Sequence, residues 1–516
     1  MSSEFPNESF ETPPAESAVD LDSSTASTPK PDRSSRHSWA GKISLSGFFS
    51  WVVIISVTIG LCLLASFSLF TVVESEVSDA SAIELFPVQM QGKMLLGQRE
   101  LAEMAGARQE GKEAIGQTIN SIDNGGYEQR LAVAILKNEF SDAETALDYL
   151  DLLDQKADKN DLELTENQQK LRQVLERCFQ KYDAGNFDSS FLDQQDRELV
   201  SEKLQWLGEL ALLPAGTPQE TERKQVLQEA STLMILMIVG FLLGLAALIT
   251  GFVVGIVLLI MAIRQKLTPR FLNNSTNHNI YAETFAIWMV IFFGASQSLG
   301  FFVSDARTAM IVQPLIFFGS LICLFWPVAR GISFRQVLED IGWTAQRPLG
   351  DLVTAPLSYL STLPMMIPAL LSVLIITLIV GLFQPAPGEF TKQVAPGHPI
   401  QEFVINGDVV MLTMVFVAVC ICAPVVEETM FRGVLYRHLR DLTGNWSRWI
   451  SVPISASVNG VVFAACHPQG IIAVPMLATL AIGFSFAREW RGSLLSPMLM
   501  HAIHNGLLTC IMLLIL

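Results

Sequence analysis

The stretch VVMLTMVFVAVCICAPVVEETMFR, residues 409–432, decides how the chain is read. From Val409 to Val426 it carries no charged side chain. That is long enough for a helix to cross a hydrocarbon core of about 30 Å. The run then passes directly into Glu427, Glu428 and Arg432. Ionisable residues against a membrane span are costly to bury, so they are functional candidates by default.

Runs of the same kind recur on both sides. Spans are expected at 47–70, 239–263, 280–303, 308–328, 357–383, 408–426, 451–466, 471–487 and 494–514. The stretch 451–466 is short, and 451–487 reads either as two spans or as a re-entrant pair. Half of the 516 residues are hydrophobic and only 16% are charged, against about 25% charged in a soluble domain. The expected fold is all-α, a polytopic transmembrane helical bundle of about nine spans.

The remaining segments differ in composition. Residues 1–42 are rich in Ser, Thr, Pro, Asp and Glu and read as a disordered tail. The first apolar run begins too deep to be a cleaved signal peptide, so 43–73 reads as an uncleaved signal anchor. Residues 74–232 show helical periodicity without spanning length: Leu131, Ala132, Ile135 and Leu136, then Leu147, Leu150, Leu152 and Leu153, then Leu171, Val174 and Leu175. Asn124–Gly125–Gly126 and Ala184–Gly185–Asn186 mark breaks. This predicts an extra-cytoplasmic insert of antiparallel helices, followed by membrane helices over 233–339 and a C-terminal membrane domain over 340–516.

The net charge is −16, with most of the acid in the insert, where it favours solubility rather than a basic partner. No basic stripe interleaved with aromatics exists, so nucleic acid is not an expected partner. Seven cysteines are present, at 62, 178, 323, 420, 422, 466 and 510, with no zinc-knuckle spacing. Basic residues set the orientation. Arg33, Arg36 and Lys42 precede the first span. Arg264, Lys266 and Arg270 follow the second, Arg330, Arg335 and Arg347 the fourth, Arg432, Arg437 and Arg440 the sixth, Arg488 and Arg491 the eighth. All fall on one side if the N-terminus is cytoplasmic, which puts 74–232 and the Pro-rich loop 384–407 outside. A multi-pass protein of the plasma or inner membrane is expected.

Three polar elements stand on the last apolar segments. In Glu427-Glu428-Thr429-Met430-Phe431-Arg432, Glu428 and Arg432 are i,i+4 and share a helix face. Glu427 lies about 100° around, is left unpaired, and suits a general base. Alone, this could equally be a salt-bridge cluster at a helix end. Phe463 and His467 are also i,i+4, and His467 could share a water with a carboxylate; a lone interfacial histidine is the plainer alternative. His501 and Asn505 are i,i+4 and could donate to a developing oxyanion, or simply bond between helices. His504 faces elsewhere.

In this order the three elements resemble the CPBP intramembrane proteases, also called the ABI or CAAX-protease family, whose pattern is EExxxR, FxxxH, then HxxxN or HxxxD. The resemblance covers roughly 340–516. It implies an intramembrane endopeptidase in which Glu427 and His467 activate water, His501 and Asn505 hold the oxyanion, and Glu428 and Arg432 support. It implies membrane-associated or CAAX-like protein substrates within the lipid bilayer. No cofactor is expected, since HExxH is absent and Asn505 is a poor zinc ligand; zinc, if bound, would take Glu427, His467 and His501.

Other readings remain. Gly483-Phe484-Ser485-Phe486 faintly resembles the serine motif of rhomboid proteases. A non-catalytic scaffold could use the 74–232 insert to recruit a protein partner. A transporter is disfavoured, because no pair of similarly interrupted helices appears in two halves. One geometrical tension arises from the motifs: with Glu427 at a span end, a straight helix from Trp449 would put His467 about 25 Å away.

Overall fold

The computed structural model describes residues 45–67, 81–106, 112–185, 191–214, 220–271, 279–344, 347–384, 389–390 and 408–515. The N-terminal tail and most of the 384–407 loop lie outside the described residues. Among the described residues every regular element is helical. Eight helices are long and apolar enough to cross a membrane: Leu45–Phe67, Glu220–Ile263, Ile280–Phe302, Arg307–Ala329, Pro348–Phe383, Val409–Leu442, Gly470–Arg491 and Leu495–Leu514. The expected ninth crossing is the helix Arg448–Ala465, which carries Arg448, Ser451, Ser455 and Asn459 and is not among the eight. It pairs with Gly470–Arg491 as a full helical hairpin. The residues 451–487 therefore form two long packed helices, an arrangement common to both expected readings, two spans or a re-entrant pair.

Labelled in chain order, α1 is Leu45–Phe67. The insert begins with α2 (Ala82–Met104), α3 (Lys112–Ser121) and α4 (Tyr127–Phe140). It ends with α5 (Ala143–Lys159), α6 (Glu166–Asp183) and α7 (Gln194–Ala211). Local chemistry starts these helices. Ser81 and Glu84 form a reciprocal capping box on α2, and Thr165 with Gln168 does the same on α6. Asp142 and Asp193 cap α5 and α7. Gly125 and Gly185 sit at positive φ between elements. The periodic residues Leu131, Ile135, Leu136, Leu150, Leu153, Leu171, Val174 and Leu175 form one buried core with Phe179 and Trp206. Leu152 departs from expectation and is exposed, 45% of its surface facing outward.

Helix α8, Glu220–Ile263, is continuous from the insert into the bundle, about 66 Å at 1.5 Å per residue. Its first turns pack on α2, where Gly97 admits the Ala230 backbone. Arg223 pairs with Glu139 at 2.6 Å, both almost fully buried. The insert is thus built onto a membrane helix rather than hung from a linker. The membrane part continues with α9 (Ile280–Phe302), α10 (Ala306–Ser320), α11 (Phe325–Ala329), α12 (Phe334–Ile341), α13 (Pro348–Thr362) and α14 (Met366–Phe383). It closes with α15 (Val409–Leu442), α16 (Arg448–Ala465), α17 (Gly470–Arg491) and α18 (Leu495–Ile515).

One end of the bundle gathers the basic side chains. Arg437 reaches Asp441 and Asp340, Arg440 reaches Glu489 at 3.0 Å, and Arg491 reaches Asp351 at 2.5 Å. The guanidinium groups of Arg437, Arg440 and Arg488 lie 5.5, 5.8 and 5.0 Å from the Phe271 ring. These charges correct the expectation that the sixth span stops near Val426. The helix runs on to Leu442, because Arg432, Arg437, His438, Arg440 and Asp441 are buried and partnered inside the protein. Glu427 consequently stands midway along α15.

Candidate functional site

Within α15 the helix widens twice into π-helical turns, at Ala418–Cys422 and Thr429–Leu435. Pro424 has no N–H to return to Cys420, which accounts for the first. The second begins where Thr429 Oγ1 bonds back to Val425 O at 2.6 Å and where Trp343 Nε1 donates to that same hydroxyl at 3.1 Å. Such single-turn bulges recur at functional sites. Glu427 and Glu428 end the short α segment, Ala423–Glu428, that lies between them.

The two glutamates have different surroundings. Glu428 is fully buried and its Oε1 accepts from Arg432 Nη1 at 2.9 Å and bonds His501 Nδ1 at 2.8 Å. A ring nitrogen facing a carboxylate carries the proton, so this bond fixes the His501 tautomer and turns Nε2 the other way. Nε2 faces Glu427 Oε2 at 3.9 Å, beyond direct hydrogen bonding. Glu427 Oε2 is buried and has no hydrogen-bond partner, while the side chain as a whole keeps 16% exposure. The expectation that Glu428 is tied up and Glu427 free agrees with this geometry.

Aromatic rings position the rest. Arg432 lies 4.5 Å from the Phe463 ring and 5.2 Å from Phe484. Phe463 stands between the two histidines, 4.4 Å from His467 and 6.0 Å from His501 by ring centroids. Phe484 lies 5.4 Å from His501. His467 sits in the turn after α16, and its Nδ1 bonds the Phe463 carbonyl at 2.7 Å. A carbonyl only accepts, so Nδ1 carries the proton and Nε2 is the acceptor. The expected 25 Å separation disappears because α15 and α16 run antiparallel past the motif. Arg440 contacts Ser451, Asn459 Nδ2 donates to Phe431 O at 2.7 Å, and Phe463 meets Phe431 at 5.0 Å.

Asn505 stands apart from this network. Its Nδ2 donates to Val419 O at 2.7 Å, inside the first π turn. His504 bonds Tyr359 OH at 3.1 Å on another face of α18. Ser485 is fully buried and donates to Ala481 O at 2.9 Å, next to Asn459, an arrangement unlike a serine nucleophile beside its histidine. Among the described residues no three His, Cys, Asp or Glu side chains are gathered as metal ligands, and all seven cysteines are free. Residues that sequence reasoning missed are Phe484, which backs both Arg432 and His501, and Thr429 with Trp343; Thr429 lies inside the first motif, while Phe484 and Trp343 are remote from all three and gave no signal.

Membrane-crossing helices around a buried Glu–His–Arg network define a polytopic membrane protein with an internal polar site. Residues 409–507 match the family model for Type II CAAX prenyl endopeptidase Rce1-like proteins. The C-terminal region is thus similar to Rce1-like CAAX proteases over about a fifth of the chain, a likeness that supports an intramembrane endopeptidase in general. No curated protein and no solved structure matches the chain.

Proposed function

We propose that this protein hydrolyses peptide bonds of membrane-associated substrates through a water activated by Glu427 and His467. The observation that carries the reading is the inequality of the two glutamates: Glu428 Oε1 is bonded by both Arg432 and His501, although its Oε2 is without a partner, while Glu427 makes no direct bond to either and its buried Oε2 stands 3.9 Å from His501 Nε2. A positioned, unpaired carboxylate is the form a general base needs. His467 Nε2, left an acceptor by the Nδ1 bond to Phe463 O, orients a water hydrogen.

In the reaction, the water oxygen bonds the scissile carbonyl carbon as its proton passes to Glu427. The carbonyl electrons move onto oxygen, and the oxyanion lies against the His501 edge that faces Glu427, held there by the His501 Nδ1 bond to Glu428. Asn505 offers the amide hydrogen that Val419 does not take. Collapse breaks the C–N bond, and Glu427 returns its proton to the leaving nitrogen. The scheme uses side chains of this chain alone, and CAAX-like lipidated proteins are its proposed substrates.

Purified protein is assayed against a pool of membrane peptides, with and without a strong chelator, beside Glu427→Gln. We expect cleavage that survives chelation and falls about 10²–10⁴-fold in the variant. Unchanged turnover by Glu427→Gln refutes the mechanism. Loss on chelation with recovery on adding zinc replaces it with a metal route. The basic residues gathered at one end of the bundle support a cytoplasmic N-terminus; a reporter fused ahead of residue 45 that proves active only outside the cytoplasm overturns that orientation.

A further inference from the structure

The insert holds a side-chain pocket that the membrane site does not require, at an edge of its core where Phe390 is buried with Tyr127 and Tyr149. Arg130, on α4, is only 4% exposed, yet its guanidinium is not satisfied from within the insert alone. Nε donates to Gly125 O at 3.3 Å, and Nη1 stands 3.5 Å from Asp123. The remaining bonds go to a dipeptide some 259 positions away: Nη1 to Glu389 Oε1 at 3.1 Å and Nη2 to the Glu389 carbonyl at 2.5 Å. Lys156 reaches the same carboxylate at 2.9 Å. Phe390 is 6% exposed, lies 5.0 Å beneath the Arg130 guanidinium, and tilts against Tyr127 at 6.3 Å. The pocket wall is braced by Tyr149 on Asp123 and by Tyr127 on Asp154 at 2.8 Å.

This is recognition at three levels: a carboxylate read by two cations, a main-chain carbonyl read by a fixed N–H, and an aromatic ring beneath a desolvated guanidinium. Reading main chain and side chains together is how domains bind peptides. We infer that the insert is a peptide-binding module specific for an acidic residue followed by an aromatic one, and that Glu389–Phe390 is its resident ligand. The dipeptide lies between α14 and the start of α15, so the insert grips the connection leading into the helix that bears Glu427. Lys156, whose hydrogen bond is the main cause, holds the Glu389 carboxyl below its usual range together with Arg130, so the contact is formed at neutral pH.

Because the resident ligand is tethered, a peptide in trans competes against an effective concentration in the millimolar range. The test therefore empties the pocket first. The full chain carrying Glu389→Ala and Phe390→Ala, in a Glu427→Gln background so that cleavage plays no part, is titrated with a fluorescent peptide spanning residues 385–394. Binding at least ten-fold tighter than to the protein with the pocket occupied is expected. It should be lost when the peptide's glutamate is replaced by glutamine, and when Arg130→Ala is added to the receptor. Protection of the buried Cys178 thiol reports that each variant keeps a folded insert, and Arg130→Lys provides a second receptor with the charge but not the fork. No binding to the emptied pocket, or binding indifferent to Arg130 in folded protein, overturns the inference. Neither result bears on the endopeptidase reading, because no turnover is measured.

Discussion

Replacing Arg432 by methionine tests whether the buried network is held together as a unit. Arg432 and Glu428 are both fully buried, 2.9 Å apart, and Glu428 also bonds His501 at 2.8 Å. Removing one partner of a buried pair leaves an uncompensated charge, at a cost of about 3–5 kcal/mol. The lost contacts with Phe463 and Phe484 at 4.5 and 5.2 Å fall within that figure rather than adding to it. At roughly 2–4 °C per kcal/mol for a cooperative unit of 150–250 residues, the melting temperature should drop about 6–20 °C. Glu428→Gln should cost a similar amount. The double variant Glu428→Gln/Arg432→Met puts two uncharged side chains of similar length in the same space, so it should cost less than the sum by about 1–3 kcal/mol. The assay is thermal unfolding in detergent followed by tryptophan fluorescence. Adding 0.5 M salt should leave the differences in place, since a pair out of contact with water is weakly screened. Strict additivity, or a difference erased by salt, would refute the claim that the two side chains form one desolvated pair.

Other outcomes follow from single features. Asn505→Ala leaves the Val419 carbonyl without its donor and should cost about 1–3 kcal/mol of stability; the proposed loss of an oxyanion donor should lower kcat about 10²–10³-fold, and a variant with full kcat would remove Asn505 from the reaction. Burial pushes the Cys178 thiol from 9.0 up to about 12, so at pH 8 it should resist alkylation until the insert is unfolded, and rapid labelling of native protein would contradict that burial. The raised value means the folded insert disfavours the thiolate; its contribution to stability is complete below pH 9 and declines as pH rises from 9 toward 12, by up to about 1.4 kcal/mol per unit. The comparison with Cys178→Ala isolates that slope. At Gly460 a Cβ would stand 2.7 Å from the Ala478 carbonyl of the facing helix, so Gly460→Val should cost about 1–3 kcal/mol by forcing α16 and α17 apart; an unchanged melting temperature would mean the hairpin is looser than described.

Much of this molecule could be read from the chain. Apolar length announced the crossings, and the spacing of Glu428 with Arg432 and of Phe463 with His467 announced which side chains meet. The extent of α15 could not be read, because Arg437, His438, Arg440 and Asp441 look like a solvated loop until Asp340 and Glu489, both distant in sequence, and Ser451 on the next helix are seen to face them. That misreading alone produced the apparent 25 Å gap to His467. Asn505 was equally opaque: its backbone partner at Val419 exists only because the helix widens there. The role of Glu389–Phe390 was hidden in a Pro-rich loop whose composition carries no periodicity.

The two widened turns of α15 also make the spacing of its residues unforgiving in a particular way. Each π turn accommodates one residue more than the α-helical count. Deleting a single residue between 418 and 422 would let the helix relax to ordinary winding without breaking it, and the protein would still be inserted and helical. Everything beyond would keep roughly its present phase toward His501, but the Val419 carbonyl would return to ordinary helical bonding and be withdrawn from Asn505. The extra residue in this stretch thus serves to present one backbone oxygen sideways, rather than to set the direction of the lower half of the helix.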